Sequence, residues 1–351
     1  MVAGNIRDDA VVRSGVLAWL AARHPGGGDF ALTEWHRPSI GHSNETLLVT
    51  ATWTQDARPH RLEAVLRLPP LLPAFPSYDL RVQAEVQRVV AGHGLPAPAV
   101  LAVEEDPAWL GSPFLLMERV RGRVPGEIIT MDEFVMAASA EQQARLQRDF
   151  LRQLARLHTV DWAASGLEKI VRGAGASLRQ DVQWWADYTR WDTDDRPPAG
   201  LVEAVDWCLA TAPSDDPPRS LLWGDARYGN VMCDDDRRIV AVLDFDLATI
   251  GPAEMDLAWN LALDSLLSRW TRRSVPGFLD HDAVVDSYQS LLGRELRHFA
   301  WHEIFALVRS ACVNQRQARL AAKAGTAYPG PTEDDNPLVA DVLRRIEKFN
   351  G

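Results

Sequence analysis

The 351-residue sequence predicts an α+β protein of two lobes, a small β-rich one followed by a larger, mostly helical one. Three observations carry this expectation. The length suits about two domains. Strand-like segments joined by short connections crowd the first third, which fits an antiparallel sheet. Beyond about residue 120 long helical patterns take over, interrupted by a strand-rich island at 221–249. The lobes are expected at residues 1–118 and 119–351.

Residues 8–23 place charges between apolar residues at helical spacing, and Pro25-Gly26-Gly27-Gly28 ends that helix. Residues 30–38 form a candidate strand. Gly41-His42-Ser43-Asn44-Glu45-Thr46 reads as a turn. Residues 46–53 and 62–68 are rich in β-branched and apolar side chains and read as strands, the second stopped by Pro69-Pro70. Residues 79–91 carry Leu80, Val82, Val86, Val89 and Val90 at helical spacing. Short strands are expected at 99–103 and 114–120. Helical patterns cover 141–158 and 281–323, and the proline-bearing stretches 195–200 and 213–218 read as surface loops.

Composition excludes several classes. With 46% hydrophobic and 24% charged residues, the chain is neither disordered nor fibrous. Its 37 basic and 48 acidic residues give a net charge of −11, which makes nucleic acid an unexpected partner. Cys208, Cys233 and Cys312 are odd in number and far apart, so no disulfide framework or paired-cysteine zinc site is read from them. The charged N-terminal helix does not read as a signal peptide, and no uncharged apolar run reaches the ~20 residues a bilayer span needs. A cytoplasmic protein with no membrane partner is the expectation.

The chemistry concentrates in the island. Leu221-Leu222-Trp223-Gly224-Asp225 is followed by Asn230 five residues after the aspartate, then by the acidic turn Asp234-Asp235-Asp236-Arg237. The chain doubles back, and the apolar run 239–243 delivers Asp244 and Asp246 at its end. If that strand continues through 246, both carboxylates share a face. Asn230 and Asp244 supply hard oxygen ligands suited to Mg²⁺, which leaves Asp225 free as a base with Arg227 near it to offset charge. Taken singly, these residues are also common turn formers.

This arrangement resembles the catalytic core of the aminoglycoside phosphotransferase and choline-kinase-like families, relatives of the protein kinases, whose brace is His-Gly-Asp-x-x-x-x-Asn followed by a strand ending in Asp. The usual histidine is Trp223 here. Gly251-Pro252-Ala253-Glu254-Met255-Asp256-Leu257-Ala258-Trp259 is similar to the families' Gly-Asp-Pro…Asp-Leu-Ala stretch. The resemblance covers most of the chain. It implies a two-lobed protein-kinase-like fold with ATP and Mg²⁺ between the lobes, and γ-phosphoryl transfer to a hydroxyl of a small molecule.

By the resemblance, Asp225 is the base, Asn230 and Asp244 hold Mg²⁺, and Arg227 touches the γ-phosphate. Asp256 anchors the loop from beneath. The turn with Ser43 and Asn44 covers the phosphates, and Arg67 grips them where the families place a lysine. Glu85, on the following helix, steadies Arg67 or pairs with Arg81. Met117, Glu118 and Val120 form a hinge whose backbone meets adenine. The acceptor stays open among aminoglycosides, macrolides, choline, sugars and hydroxylated acyl compounds.

Two rivals remain. One is a nucleotide-binding, pseudokinase-like regulator, which Trp223 and Arg67 suggest. The other is a metal-dependent hydrolase using Asp244, Asp246, His298 and His302. Those histidines lie four apart, but the zinc-protease order His-Glu-x-x-His is absent, as are Gly-x-Ser-x-Gly and a Walker A loop. His158 reads as a packed, hydrogen-bonded core histidine. Trp184, Trp185 and Trp191 cluster in the helical part, and most of the 13 tryptophans are expected in the core, with a minority lining an acceptor pocket.

Overall fold

The structure, a computed structural model, describes residues 7–38, 44–193, 196–326, 328 and 336–350. It opens with helix α1 (Asp9–Arg23), whose first turn is capped by the Asp8 carboxylate accepting from the Ala10 N–H at 2.7 Å. Val12, Val16, Trp19 and Leu20 recur on one face and are buried. That face lies on a sheet of β1 (Gly28–His36), β2 (Glu45–Gln55), β3 (Arg58–Leu68), β4 (Val100–Glu104) and β5 (Phe114–Glu118). The strand order is β1-β2-β3-β5-β4 and the pairings are antiparallel, as the short connections predict.

Alternation divides the work of β3. Ala64, Leu66 and Leu68 join the α1 core, where the Trp19 ring meets Phe114 edge-on at 5.3 Å. The intervening Val65 and Arg67 face the other way and line a cleft together with Thr46 and Leu48 of β2. A two-residue turn joins β2 to β3, with Asp56 and Ala57 both at positive φ, the geometry that matches the twist of a hairpin. Helix α2 (Leu80–Gly92) packs Leu80 and Ala84 against Leu115 on the cleft side of the sheet.

The rest is mainly helical. A short α3 (Glu133–Met136) precedes α4 (Ala140–His158), α5 (Leu178–Asp192) and α6 (Ala199–Thr211). Ser139 with Gln142, and Ser177 with Gln180, close reciprocal capping boxes on α4 and α5. The island contributes two small antiparallel ribbons: β6 (Arg219–Leu222) pairs with β9 (Thr249–Pro252), and β7 (Val231–Cys233) with β8 (Ile239–Val242). Then follow α7 (Glu254–Thr271), α8 (His281–Leu292), α9 (Phe299–Lys323) and α10 (Pro337–Asn350).

The single helical pattern expected over 281–323 is therefore two helices. Gly293 adopts φ +75 and caps α8 in the left-handed conformation that favours glycine, so the chain turns before α9 begins. The three cysteines are buried and free, as their spacing implied. Among the described residues no helix is long and apolar enough to cross a membrane.

Candidate active site

The two ribbons hold the chemical residues at their ends. The expected doubling back occurs at Asp234–Arg237: the Asp234 N–H donates to the Arg238 carbonyl at 3.0 Å, and Val231 of β7 faces Val242 of β8. The segment after β6 needs a glycine, because Gly224 sits at φ +84 and a Cβ there would lie 2.1 Å from the Leu247 carbonyl oxygen. Asp256, wholly buried on α7, anchors this segment from below. Its carboxylate accepts from the Trp223 N–H at 2.6 Å and the Gly224 N–H at 3.0 Å. His158 lies 3.1 Å from the same carboxylate and also meets the Tyr288 hydroxyl, so it is the bonded core histidine that was expected.

Trp223 acts on the other side of the loop. Its indole N–H points at two carbonyls, those of Leu243 at 2.8 Å and Asp244 at 3.0 Å. A fully buried side chain thus ties the Asp225 loop to the segment carrying Asp244. A second tie comes from α9. Arg309 donates to the Gly224 carbonyl at 2.9 Å while its guanidinium lies 4.7 Å from the centre of the Trp259 ring.

Asp225 is clamped, where the sequence suggested a free carboxylate. One oxygen accepts from Trp259 Nε1 at 2.9 Å; the other accepts from Arg227 Nε and Asn230 Nδ2, both at 2.8 Å. Since an ionised carboxylate offers about four acceptor sites, roughly one remains for an incoming hydroxyl. Arg227 is likewise committed, to Asp225 and to Glu127. Burial opposes its charge, but those two carboxylates outweigh it and hold its pKa above the usual guanidinium value. A guanidinium so engaged is not the free γ-phosphate contact expected of Arg227.

Strand β8 stops at Val242, so Asp244 and Asp246 do not share the face of a continuous strand. Asp244 instead takes φ +62, a left-handed conformation that short polar side chains tolerate. The two carboxylates still converge, on Arg67: its Nη2 is 3.3 Å from Asp244 Oδ1 and 3.2 Å from Asp246 Oδ2. Asn44 also donates to Asp246. Ser43 and the rest of the turn before Asn44 lie outside the described residues. Burial alone would lower the Arg67 pKa, yet Asp244 and Asp246 raise it.

Glu85 takes neither expected partner. It pairs with Arg88 one turn along an exposed face of α2, because the helix turns Gln83 and Gln87 inward in its place. Gln87 donates to the Pro98 carbonyl at 2.5 Å, close behind the hinge. Met117, Glu118 and Val120 do line the cleft, but the Glu118 N–H is spent on the Ala99 carbonyl at 2.8 Å.

Two cavities meet here. The first, about 840 Å³, runs between the sheet and the helical part, lined by Leu48, Val65, Arg67, Met117, Val120, Asn230 and Asp244 among others. The second, about 570 Å³, is walled by α7, α9 and the segment around Glu127, and reaches Asp225. Glu127, Arg227, Gly229 and Asp244 border both. Oxygen donors suited to a hard cation lie at the junction. Asn230 spends its amide N–H on Asp225, which leaves its carbonyl oxygen as the free end, and Asp244 already draws a cation in the form of Arg67.

His298 and His302 form no such centre. His298 pairs with Asp215 at 2.8 Å, while His302 is buried deeply enough to push its pKa down to about 3. Among the described residues, no three His, Cys, Asp or Glu side chains are placed to hold a metal ion.

The family model described as the phosphotransferase enzyme family matches residues 34–304. The chain belongs to that family. A putative aminoglycoside phosphotransferase from Ralstonia eutropha JMP134 superimposes with TM-score 0.65 at 21% identity, over 94% of this chain and 93% of that one. A thermostable mutant of an aminoglycoside phosphotransferase, solved in a ternary complex with ADP and hygromycin B, gives 0.54 at 17% identity, covering 94% and 98%. A macrolide 2′-phosphotransferase from Brachybacterium faecium gives 0.54 at 18%, covering 90% and 94%. These likenesses establish the two-lobed, protein-kinase-like fold.

Curated relatives carry other names. A probable acyl-CoA dehydrogenase of Arabidopsis thaliana, IBR3, is 29% identical over 88% of this chain and 39% of its own length. The human acyl-CoA dehydrogenase family member 11 is 29% identical over 55% of this chain and 24% of its own. The chain thus spans well under half the length of the curated relatives it matches.

Sequence reasoning passed over Trp259, Arg309 and Glu127 as members of the site. Trp259 stood inside a quoted motif but carried no signal of its own. Arg309 and Glu127 are 84 residues after and 98 residues before Asp225 in the chain, and only folding brings them to its loop.

Proposed function

We propose that this phosphotransferase moves the γ-phosphoryl group of ATP to a hydroxyl of a small molecule, with nucleotide in the first cavity and acceptor in the second. The observation that carries the reading is the junction: one cavity holds Arg67, Asn230 and Asp244, the other holds Asp225, and both share Asp244. Val65, Leu48, Met117 and Val120 offer adenine an apolar slot. Arg67 is placed to hold phosphates that stay behind. The relative solved with ADP and hygromycin B supports two ligands side by side in this fold.

Asn230 and Asp244 would hold Mg²⁺. Held there, the cation would supply positive charge to offset that of the phosphates. Asp225 orients the acceptor hydroxyl with its remaining lone-pair site and takes the proton as the oxygen attacks. Its three donors keep that carboxylate fixed, which favours positioning over strong basicity. Arg227 and Trp259 set its geometry. Trp223 gives no support to the rival reading as an inactive regulator, since its indole holds the loop.

The acceptor is read as a hydroxylated molecule with an apolar chain. Phe75, Ile129, Leu263, Leu267 and Val313 line the second cavity, an unsuitable wall for a polycationic sugar. The names of the acyl-CoA dehydrogenase relatives agree with an acyl compound.

The test is single-turnover phosphotransfer, or slow ATP hydrolysis, by Asp225→Ala. Removing a positioned base is expected to slow the step about 10²–10⁴-fold while Mg·ATP affinity holds. Wild-type rates in the variant remove Asp225 from the role.

A further inference from the structure

The acceptor cavity contains hydrogen-bond acceptors that the fold leaves unmatched. Helix α7 presents Asn260, Leu263, Asp264 and Leu267 to it, the i, i+3, i+4, i+7 stripe of one helical face. Across the cavity α9 presents Val313, Asn314 and Gln317. Asp264 makes no hydrogen bond or ion pair among the described residues, and burial without a compensating cation pushes its carboxyl up to about 7. Asn314 donates to the Tyr328 hydroxyl at 2.7 Å, yet its own Oδ1 is buried with no donor among the described residues.

Nearby charges do not answer Asp264. Arg227, the cation bordering the cavity, is held by Asp225 and Glu127. Asp225 is saturated by three donors but for about one lone-pair site, and Asp246 is held by Asn44 and Arg67. Asp264 is half-buried with its side chain open to the cavity, whereas Asn314 Oδ1 is buried, and buried polar groups are rarely left without a partner. A ligand that brings a donor would resolve both vacant oxygens at once.

We propose that Asp264 and Asn314 form the recognition subsite for the acceptor, taking one hydrogen-bond-donating group carried on an otherwise apolar chain apart from the hydroxyl that reacts. The donor is a second hydroxyl or a primary ammonium; both are the same chemistry to these oxygens. A polycation does not fit, because among the described residues Asp264 is the one carboxylate lining the cavity without a partner. This rests on the second cavity being the acceptor site, and it narrows the substrate class within that reading.

The test measures binding of 1-hexanol, 1,6-hexanediol and 6-amino-1-hexanol by ligand-observed saturation-transfer NMR and calorimetry, without nucleotide. At pH 8, where Asp264 is ionised, the wild type is expected to prefer the diol or the amino alcohol about tenfold or more over 1-hexanol, one hydrogen bond to a charged group. In Asp264→Leu that preference falls to within about twofold while 1-hexanol still binds. The diol and amino-alcohol arms tell a neutral donor from a cation. Equal affinity for the three in the wild type, no binding of any, or a preference that survives Asp264→Leu overturns the proposal.

Asn314→Leu tests the opposite wall and keeps the question open to refutation if the first variant folds poorly. Binding needs no turnover. A protein that discriminates donors but never transfers a phosphoryl group therefore breaks the proposed function and leaves this subsite standing. Transfer without discrimination does the reverse.

Discussion

The two cavities share a border at Arg227 and Glu127 but are built from different materials. The first cavity, the proposed nucleotide side, is dense in charge, and that charge is matched: Arg67 sits between Asp244 and Asp246, and at the border with the second cavity Arg227 sits between Asp225 and Glu127. The second cavity, the proposed acceptor side, is walled by the inner faces of two long helices, largely apolar, and Asp264 has no hydrogen-bond or ion-pair partner there among the described residues. A site for a triphosphate and its cation needs fixed charge in fixed geometry, so its parts sit on short loops pinned by buried residues. A site for an apolar molecule needs shape, which helix faces supply with almost any apolar side chains.

The sharpest way to break this contrast is at Asp244. Asp244→Ala removes one of two carboxylates facing Arg67, and the Mg²⁺-dependent part of nucleotide affinity is expected to fall about tenfold or more in calorimetric titrations with and without the metal. An unchanged metal dependence would take Asp244 out of the ligand set.

The pinning residues come next. Trp223→Phe keeps the packing but strips the indole N–H from the Leu243 and Asp244 carbonyls. Loss of such a buried bond costs about 1–3 kcal/mol, read as a lower denaturation midpoint, and turnover should fall with it. A variant as stable and active as the wild type would show that the indole merely fills space.

On the acceptor side the signal is a dependence on pH. The Asp264 pKa is raised from 3.8 to about 7 by burial, so the folded protein holds a proton that the unfolded chain releases. The stability from that proton is complete below about pH 4 and is lost as pH rises through 7. Asp264→Asn, which cannot ionise, should therefore gain on the wild type as pH increases from 5 to 8. Melting curves whose difference stays constant across that range would mean the carboxyl is solvated.

The smallest effect is expected at Glu85, exposed and paired only with Arg88. Glu85→Ala should change stability by about 0.5 kcal/mol or less and leave Mg·ATP affinity alone. A clear loss of affinity would mean that α2 rotates on nucleotide binding to bring Glu85 to Arg67.

Consecutive residues were enough to settle the lobed organisation, the strands and their antiparallel sheet, and the spacing of Asp225, Asn230 and Asp244. These are local: alternation, turn residues and a hairpin put them where they are, and such patterns are written in consecutive residues. The sequence also pointed to Asp256 and His158, through motif likeness. Several of the misjudged partners were matters of long range, although Glu85 met Arg88 one turn along its own helix and Arg227 met Asp225 two residues away. Whether Asp225 is free or clamped depends on Trp259, and whether Arg67 answers Glu85 or Asp246 depends on how α2 is rotated about its axis. The break at Gly293 hid inside an otherwise helical pattern, because one glycine in such a pattern does not distinguish a cap from a tolerated interior residue. The second cavity, by contrast, could be found only in three dimensions. Its walls come from helices some 50 residues apart whose apolar faces look alike in sequence, and the isolation of Asp264 is a fact about what surrounds it in space.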